Sequence, residues 1–188
     1  MNLSSLENKA YKIYYEPAGD GDASIIAELH TRSWQRHYRG IYSDFYLDEQ
    51  VEKERHKIWR KRFAERGNDS YIIKAVHEGT AIGFACTFLD YDQEFGALVD
   101  NLHVLEKYQG LGIGRQLLGR SAKWVQKMDS ETGIYLYVLD QNLLAKSFYQ
   151  RLGASMSEIL FFDSPDGKKD EVIRCSWNTL ELMEICGI

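Results

Sequence analysis

The chain has 188 residues, 44% of them hydrophobic and 27% charged, with 23 basic against 28 acidic side chains and a formal net charge of −5. That length suits a single domain over residues 1–188, with 1–10 and 178–188 as terminal extensions, and supplies enough apolar material for a core. The acidic balance, without a Lys/Arg block, argues against a nucleic-acid partner, and no apolar run approaches a membrane span.

Residues 1–10 are polar and lack an apolar h-region, so no signal peptide is expected and the default location is cytoplasmic. The three cysteines, Cys86, Cys175 and Cys186, are widely spaced and form no CxxC. They fit a reducing compartment better than a disulfide framework. Residues 11–15 alternate and are aromatic-rich, which reads as a strand. After the turn cluster 17–22, Ser24 is a candidate N-cap, and Ile25, Ile26, Leu29, Trp34 and Tyr38 recur at helical spacing up to Gly40. A second helix is predicted from Ser43 or Asp44 to about Arg66. Runs 71–76 and 81–89 flank a short Gly-containing turn and make a hairpin. A loop at 90–96 leads into a strand at 97–105.

The periodicity then predicts a helix over 114–128, a strand over 134–139 and a helix over 143–152 closed by Gly153. Runs 159–162 and 172–177 flank the turn at 164–167 as a terminal hairpin. The order is βααβββαβαββ. It is an α/β (α+β) pattern: a mixed, mostly antiparallel central sheet of about seven strands with about four helices.

Between the strand at 97–105 and its following helix lies Gln109-Gly110-Leu111-Gly112-Ile113-Gly114-Arg115. Three glycines at alternate positions let the backbone turn tightly and approach a ligand. The helix start offers free N–H groups and a positive dipole end, an anion site of the kind that holds a pyrophosphate. A glycine-rich turn without a ligand remains the bland alternative. The Rossmann pattern G-x-G-x-x-G fails in either register, at Arg115 or at Leu117. A P-loop overlaps at 114–121, but Arg120 replaces its lysine. Leu117, Leu118, Ser121, Ala122 and Val125 also form one helical face, so 115–118 belong to the helix.

With its loop pattern Q/R-x-x-G-x-G/A, this segment resembles the GNAT superfamily of acetyl-CoA-dependent N-acetyltransferases. Asp100-Asn101-Leu102-His103-Val104 looks like that family's central strand. The run from Asn142 through Ala145, Phe148 and Tyr149 to Gly153 resembles its N-x-x-A-x-x-F-Y-x-x-x-G-F segment, with Ala154 where Phe is usual. The resemblance implies a GNAT-like sheet and an acetyl-CoA co-substrate. Cofactor contacts are implied for Leu102, His103 and Val104, for Gln109, Gly110, Leu111, Gly112, Ile113, Gly114 and Arg115, and for Asn142, Ala145 and Tyr149. Leu102 and Val104 would pair through their backbones with the pantetheine arm like an added strand. Tyr149 would lie near the sulfur.

Acetyl transfer needs a deprotonated amine, a stabilised carbonyl oxygen and a leaving thiolate. Tyr149 is the candidate acid. Some relatives carry Glu where this chain has Leu98 and Tyr137, so the base falls to Asp100 or His103, directly or through water. These two differ by an odd step and are expected on opposite faces of their strand, Asp100 sharing parity with Leu102 and Val104. Trp34, Tyr38 and Tyr42, with Tyr46, are expected to line the acceptor pocket and to suit an apolar or cationic amine. A small-molecule primary amine is the expected acceptor, with a peptide N-terminus or lysine second; a non-catalytic acyl-CoA-binding module is the competing class. His30, His37, His56 and His77 show no metal-ligand spacing, so no metal is expected. Exposed strand edges leave room for a homodimer.

Overall fold

The computed structural model describes residues 12–129 and 132–188. The N-terminal stretch 1–10 and the first expected strand residue, Tyr11, lie outside them. Strand β1 (Ile13–Pro17) leads through a short turn into helices α1 (Ala23–His37) and α2 (Val51–Ala64). Then come β2 (Ser70–His77), β3 (Thr80–Asp92), β4 (Gly96–Val104), α3 (Ile113–Met128), β5 (Ile134–Leu139), α4 (Leu143–Arg151), β6 (Ser155–Asp163), β7 (Lys169–Trp177) and α5 (Thr179–Cys186). The seven strands form one sheet in the order β1-β2-β3-β4-β5-β7-β6. Every neighbouring pair is antiparallel except β4 and β5.

The expected elements are all present, with local shifts. Asp22, not Ser24, stands at the start of α1, and its carboxylate accepts the Gly19 N–H at 2.7 Å. Ahead of α2 the chain makes a π-helical turn at Tyr46–Gln50, which carries Tyr46 and Leu47 into the interior. Strand β3 is longer than expected, and Asp92 pairs with Gly96. The expected loop shrinks because the Asp92 carboxylate accepts the N–H groups of Glu94 and Phe95.

A fifth helix replaces the expected C-terminal extension. Asn178 caps α5 by accepting from Leu180 and Glu181, and Gly187 ends it in the left-handed region. Leu182 and Cys186 are fully buried against the face of α3 made by Leu118, Ala122 and Val125. Gly119 permits this approach, since a Cβ there would lie 2.5 Å from that of Cys186.

The sheet separates two apolar layers. Ile26, Ala27, Leu29, Trp59 and Phe63 from α1 and α2 pack with Phe84 and Cys86. On the other side Leu118, Ala122 and Val125 of α3 pack with Val99, Leu136, Tyr149 and Cys175.

Candidate active site

Among the described residues, strands β4 and β5 are joined through Ala97–Ile134 and Leu98–Tyr135 alone. Beyond that point β4 keeps β3, and β5 keeps β7, as ladder partners. The two central strands therefore splay at their C-terminal ends. The N–H of Leu105 donates to Ile82 on β3 at 2.9 Å. Backbone groups alternate along a strand, so Leu102 and Val104 turn theirs towards the open side. An extended chain with its own amides can add there as a strand.

The glycine loop follows directly. Gly110 and Gly112 both have φ of +78°, and a Cβ on either would meet nothing within 4 Å. Glycine is needed there for the left-handed backbone, not for room. At Gly114, by contrast, a Cβ would lie 3.3 Å from the Phe148 ring, so this glycine lets α3 approach α4. Helix α3 starts from Gly112 with no side-chain cap and no acid in its first turn. Its leading N–H groups and dipole are left for an anion. Residues 115–118 lie inside α3, so no phosphate-wrapping P-loop forms. Open backbone edge and uncapped helix start together fit the arm and the pyrophosphate of acetyl-CoA. Arg115, expected at the mouth of this site, instead donates to the Ile185 carbonyl of α5.

The expectation for Asp100 and His103 is overturned. Cys86 pairs with Asn101 while its neighbour Thr87 pairs with Val99, so Asp100 is the extra residue of a β-bulge. A bulge reverses parity. Ala97 and Val99 face α3 before it, and Leu102 and Val104 face α3 after it. Asp100 and His103 both reach the α1–α2 layer, and Asp100 is separated from Leu102 and Val104. Arg62 of α2 binds the Asp100 carboxylate at 2.6 Å and the Asn101 side chain at 2.7 Å. His103 lies among His30, Phe84 and Ser33. Its ring centroid is 4.6 Å from that of His30, and its Nδ1 is 2.8 Å from Ser33 Oγ. Burial, with His37 and Arg55 nearby, depresses the His103 imidazole to about 3. His30 is depressed for the same first reason. Leu98 is buried, and Tyr137 packs on Tyr135 and Phe162.

Asn142 caps α4, its side-chain oxygen accepting the Ala145 N–H at 3.1 Å. This cap aims α4, and Tyr149 two turns on, back along the sheet. Tyr149 is buried beside Phe148 and Trp177. Burial, then the neighbouring Tyr38 and Cys175, pushes its phenol above the usual value.

Trp34, Tyr38, Tyr42 and Tyr46 come together as expected. Trp34 stacks on Tyr42 at 5.4 Å and meets Tyr38 edge-on at 5.0 Å. Two partners had no sequence signal. The Arg55 guanidinium lies 4.2 Å from the Trp34 ring centroid. Asp170, at the start of β7, accepts the Tyr42 hydroxyl at 2.6 Å across 128 residues of chain. Burial raises the Asp170 carboxyl, and desolvation lifts Tyr38 to about 12. Beside the cluster is a cavity of about 270 Å³ lined by Gly40, Ile41, Leu139 and Gln141, by Asp166, Asp170 and Glu171, and by Lys168 and Lys169. Leu139 ends β5, so this cavity lies at the splayed end of the sheet. Among the described residues no group of three or more His, Cys, Asp or Glu side chains is arranged to hold a metal, and no helix is long and apolar enough to cross a membrane.

An open strand edge and an uncapped helix start at the splayed end of the sheet define an acyl-CoA-dependent transferase. Residues 27–154 match the family described as the acetyltransferase (GNAT) family. The chain belongs to that family and is an acetyl-CoA-dependent N-acetyltransferase. It is 29% identical over 107 residues to the spermine/spermidine N(1)-acetyltransferase of Bacillus subtilis strain 168, a match covering 53% of this chain and 70% of that protein. Among solved structures, it resembles the PaiA N-acetyltransferase of Thermoplasma acidophilum in complex with coenzyme A: TM-score 0.68, 21% identity, 88% of this chain and 99% of that one. It also resembles YncA of Salmonella typhimurium with its cofactor acetyl-CoA, at TM-score 0.63 and 17% identity over 88% and 92% of the two chains.

Proposed function

We propose that the acceptor is a primary amine of a small cationic molecule carrying a second positive charge, acetylated by direct attack in a ternary complex. The observation that carries this reading is Asp170, a carboxylate set against the Trp34–Tyr38–Tyr42 cluster at the splayed end of the sheet. Aromatic faces and a desolvated carboxylate both favour an alkylammonium. The likeness to a spermine/spermidine acetyltransferase supports the same class.

Acetyl-CoA supplies the acetyl group as a thioester. The backbones of Leu102 and Val104 hold its arm, and the N–H groups from Gly110 to Arg115 hold its pyrophosphate. A primary ammonium has a pKa of roughly 10, far above that of the His103 imidazole, so His103 acts on the neutral amine. It removes a proton as the N–C bond forms and the nitrogen becomes acidic. Asp100 is committed to Arg62 and takes no part. Tyr149 stays a phenol at neutral pH and donates a hydrogen bond to the sulfur as the C–S bond breaks. A thiol near pKa 8.5 is a stronger acid than this phenol. Full proton transfer from Tyr149 to the thiolate is therefore uphill, and its part is charge stabilisation. Holding amine and thioester together contributes at most about 7–11 kcal/mol.

A panel of monoamines, diamines, polyamines and lysyl peptides, read by thiol release, tests this assignment. Diamines and polyamines should show the highest kcat/KM; a preference for monoamines or peptides removes it. Tyr149→Phe should lower kcat about 10- to 100-fold with acetyl-CoA affinity unchanged. Full turnover in that variant would exclude its role at the sulfur.

A further inference from the structure

His103 lies on β4 between Leu102 and Val104, the two residues whose backbones face the open slot. Its imidazole crosses to α1, where Ser33 Oγ is 2.8 Å from Nδ1. Ser33 is only 5% exposed, so this contact is shielded from competing water. The neighbouring ring offers no alternative acceptor. His30 takes the Trp59 indole N–H on its own Nδ1 at 3.0 Å. The neutral His30 is thereby the Nε2–H tautomer, and that buried N–H has no partner among the described residues. Both polar atoms of His30 are thus unavailable to accept from His103. On this side of the sheet Ser33 Oγ is the polar atom that Nδ1 of His103 meets. The charged and titratable groups around the ring are His30 and His37 from α1 and Arg55 from α2.

We propose that Ser33 is a positioning residue that sets the tautomer of His103. Its Oγ accepts the Nδ1–H, which leaves the Nε2 lone pair for the proton that the amine loses as the N–C bond forms. Free imidazole side chains exchange between tautomers, and a fixed partner on one nitrogen selects which atom is the base. The proposal rests on the reading of His103 as proton acceptor, and the test separates the two.

Long-range 15N correlation spectra of the full chain at neutral pH should show His103 protonated on Nδ1. In Ser33→Ala the Nε2–H form should become dominant. At the same time kcat should fall about tenfold, the effect of one hydrogen bond, while the KM for acetyl-CoA stays unchanged. Ser33→Thr, which keeps the hydroxyl, should restore both. A wild-type His103 protonated on Nε2, or a tautomer indifferent to Ser33→Ala, overturns the proposal. Full turnover in His103→Gln overturns the reading of His103 as base, and with it the catalytic consequence of Ser33, whereas the tautomer assignment still stands or falls on the spectra.

Discussion

The side-chain amide of Gln109 donates to the carbonyl oxygen of Val104 at 3.0 Å, and the same nitrogen lies 3.1 Å from Nε2 of His37. Two acceptors match the two hydrogens of one amide. The first residue of the glycine motif thus satisfies a carbonyl on the open edge of β4. The cofactor arm is expected to displace that bond when it pairs with Val104. Gln109→Ala should raise the acetyl-CoA association rate about 2- to 10-fold, the span of one net hydrogen bond. Stopped-flow binding measures it, and a slower rate would assign Gln109 to cofactor contact alone.

Asp170→Asn keeps an acceptor for the Tyr42 hydroxyl and removes the charge. For a diamine or polyamine the KM should rise about tenfold, equivalent to roughly 1.4 kcal/mol. A monoamine acceptor should be little affected. Equal losses for both substrates in steady-state kinetics would place Asp170 outside the recognition of the second charge.

Stability should depend on pH through His103. Its folded pKa of about 3 lies below the value of about 6.5 expected for the unfolded chain. Between those values the unfolded state binds a proton that the folded state refuses, so the contribution is complete above about pH 6.5 and is lost as pH falls towards 3. From pH 7 to pH 5 the loss from His103 is at most about 2 kcal/mol. Denaturant unfolding at the two pH values, compared with His103→Asn, should show a smaller drop in the variant. Identical drops would show that His103 is not the group responsible.

The docking of α5 is a stability element. Leu182 is fully buried against the cluster that contains Leu118, Val125 and Trp177. Leu182→Ala should cost about 2–5 kcal/mol. Gly119→Ala should also destabilise, because the new Cβ would overlap Cys186. If α5 were a loosely held tail, chemical denaturation would move by less than about 0.5 kcal/mol for Leu182→Ala.

The order of strands and helices from residue 13 to 177, the family and its acetyl-CoA co-substrate were legible in the amino-acid sequence. Their causes are local: left-handed backbone at Gly110 and Gly112, a helix start without a cap, and an Asn142 cap one strand later. The α5 helix was missed in the sequence, where a terminal extension is expected: Asn178 and Gly187 were in place to cap and end it, but its short length hid its amphipathic face. The tertiary structure alone decided which way Asp100 and His103 point, because a bulge depends on how β4 registers against β3. It also decided the aromatic cluster proposed for the acceptor, where Arg55 of α2 covers Trp34 of α1, Trp34 stacks on Tyr42, and Tyr42 bonds Asp170 of β7. Backbone conformation is specified by consecutive residues, whereas a pocket built across more than a hundred residues of chain is specified only by packing.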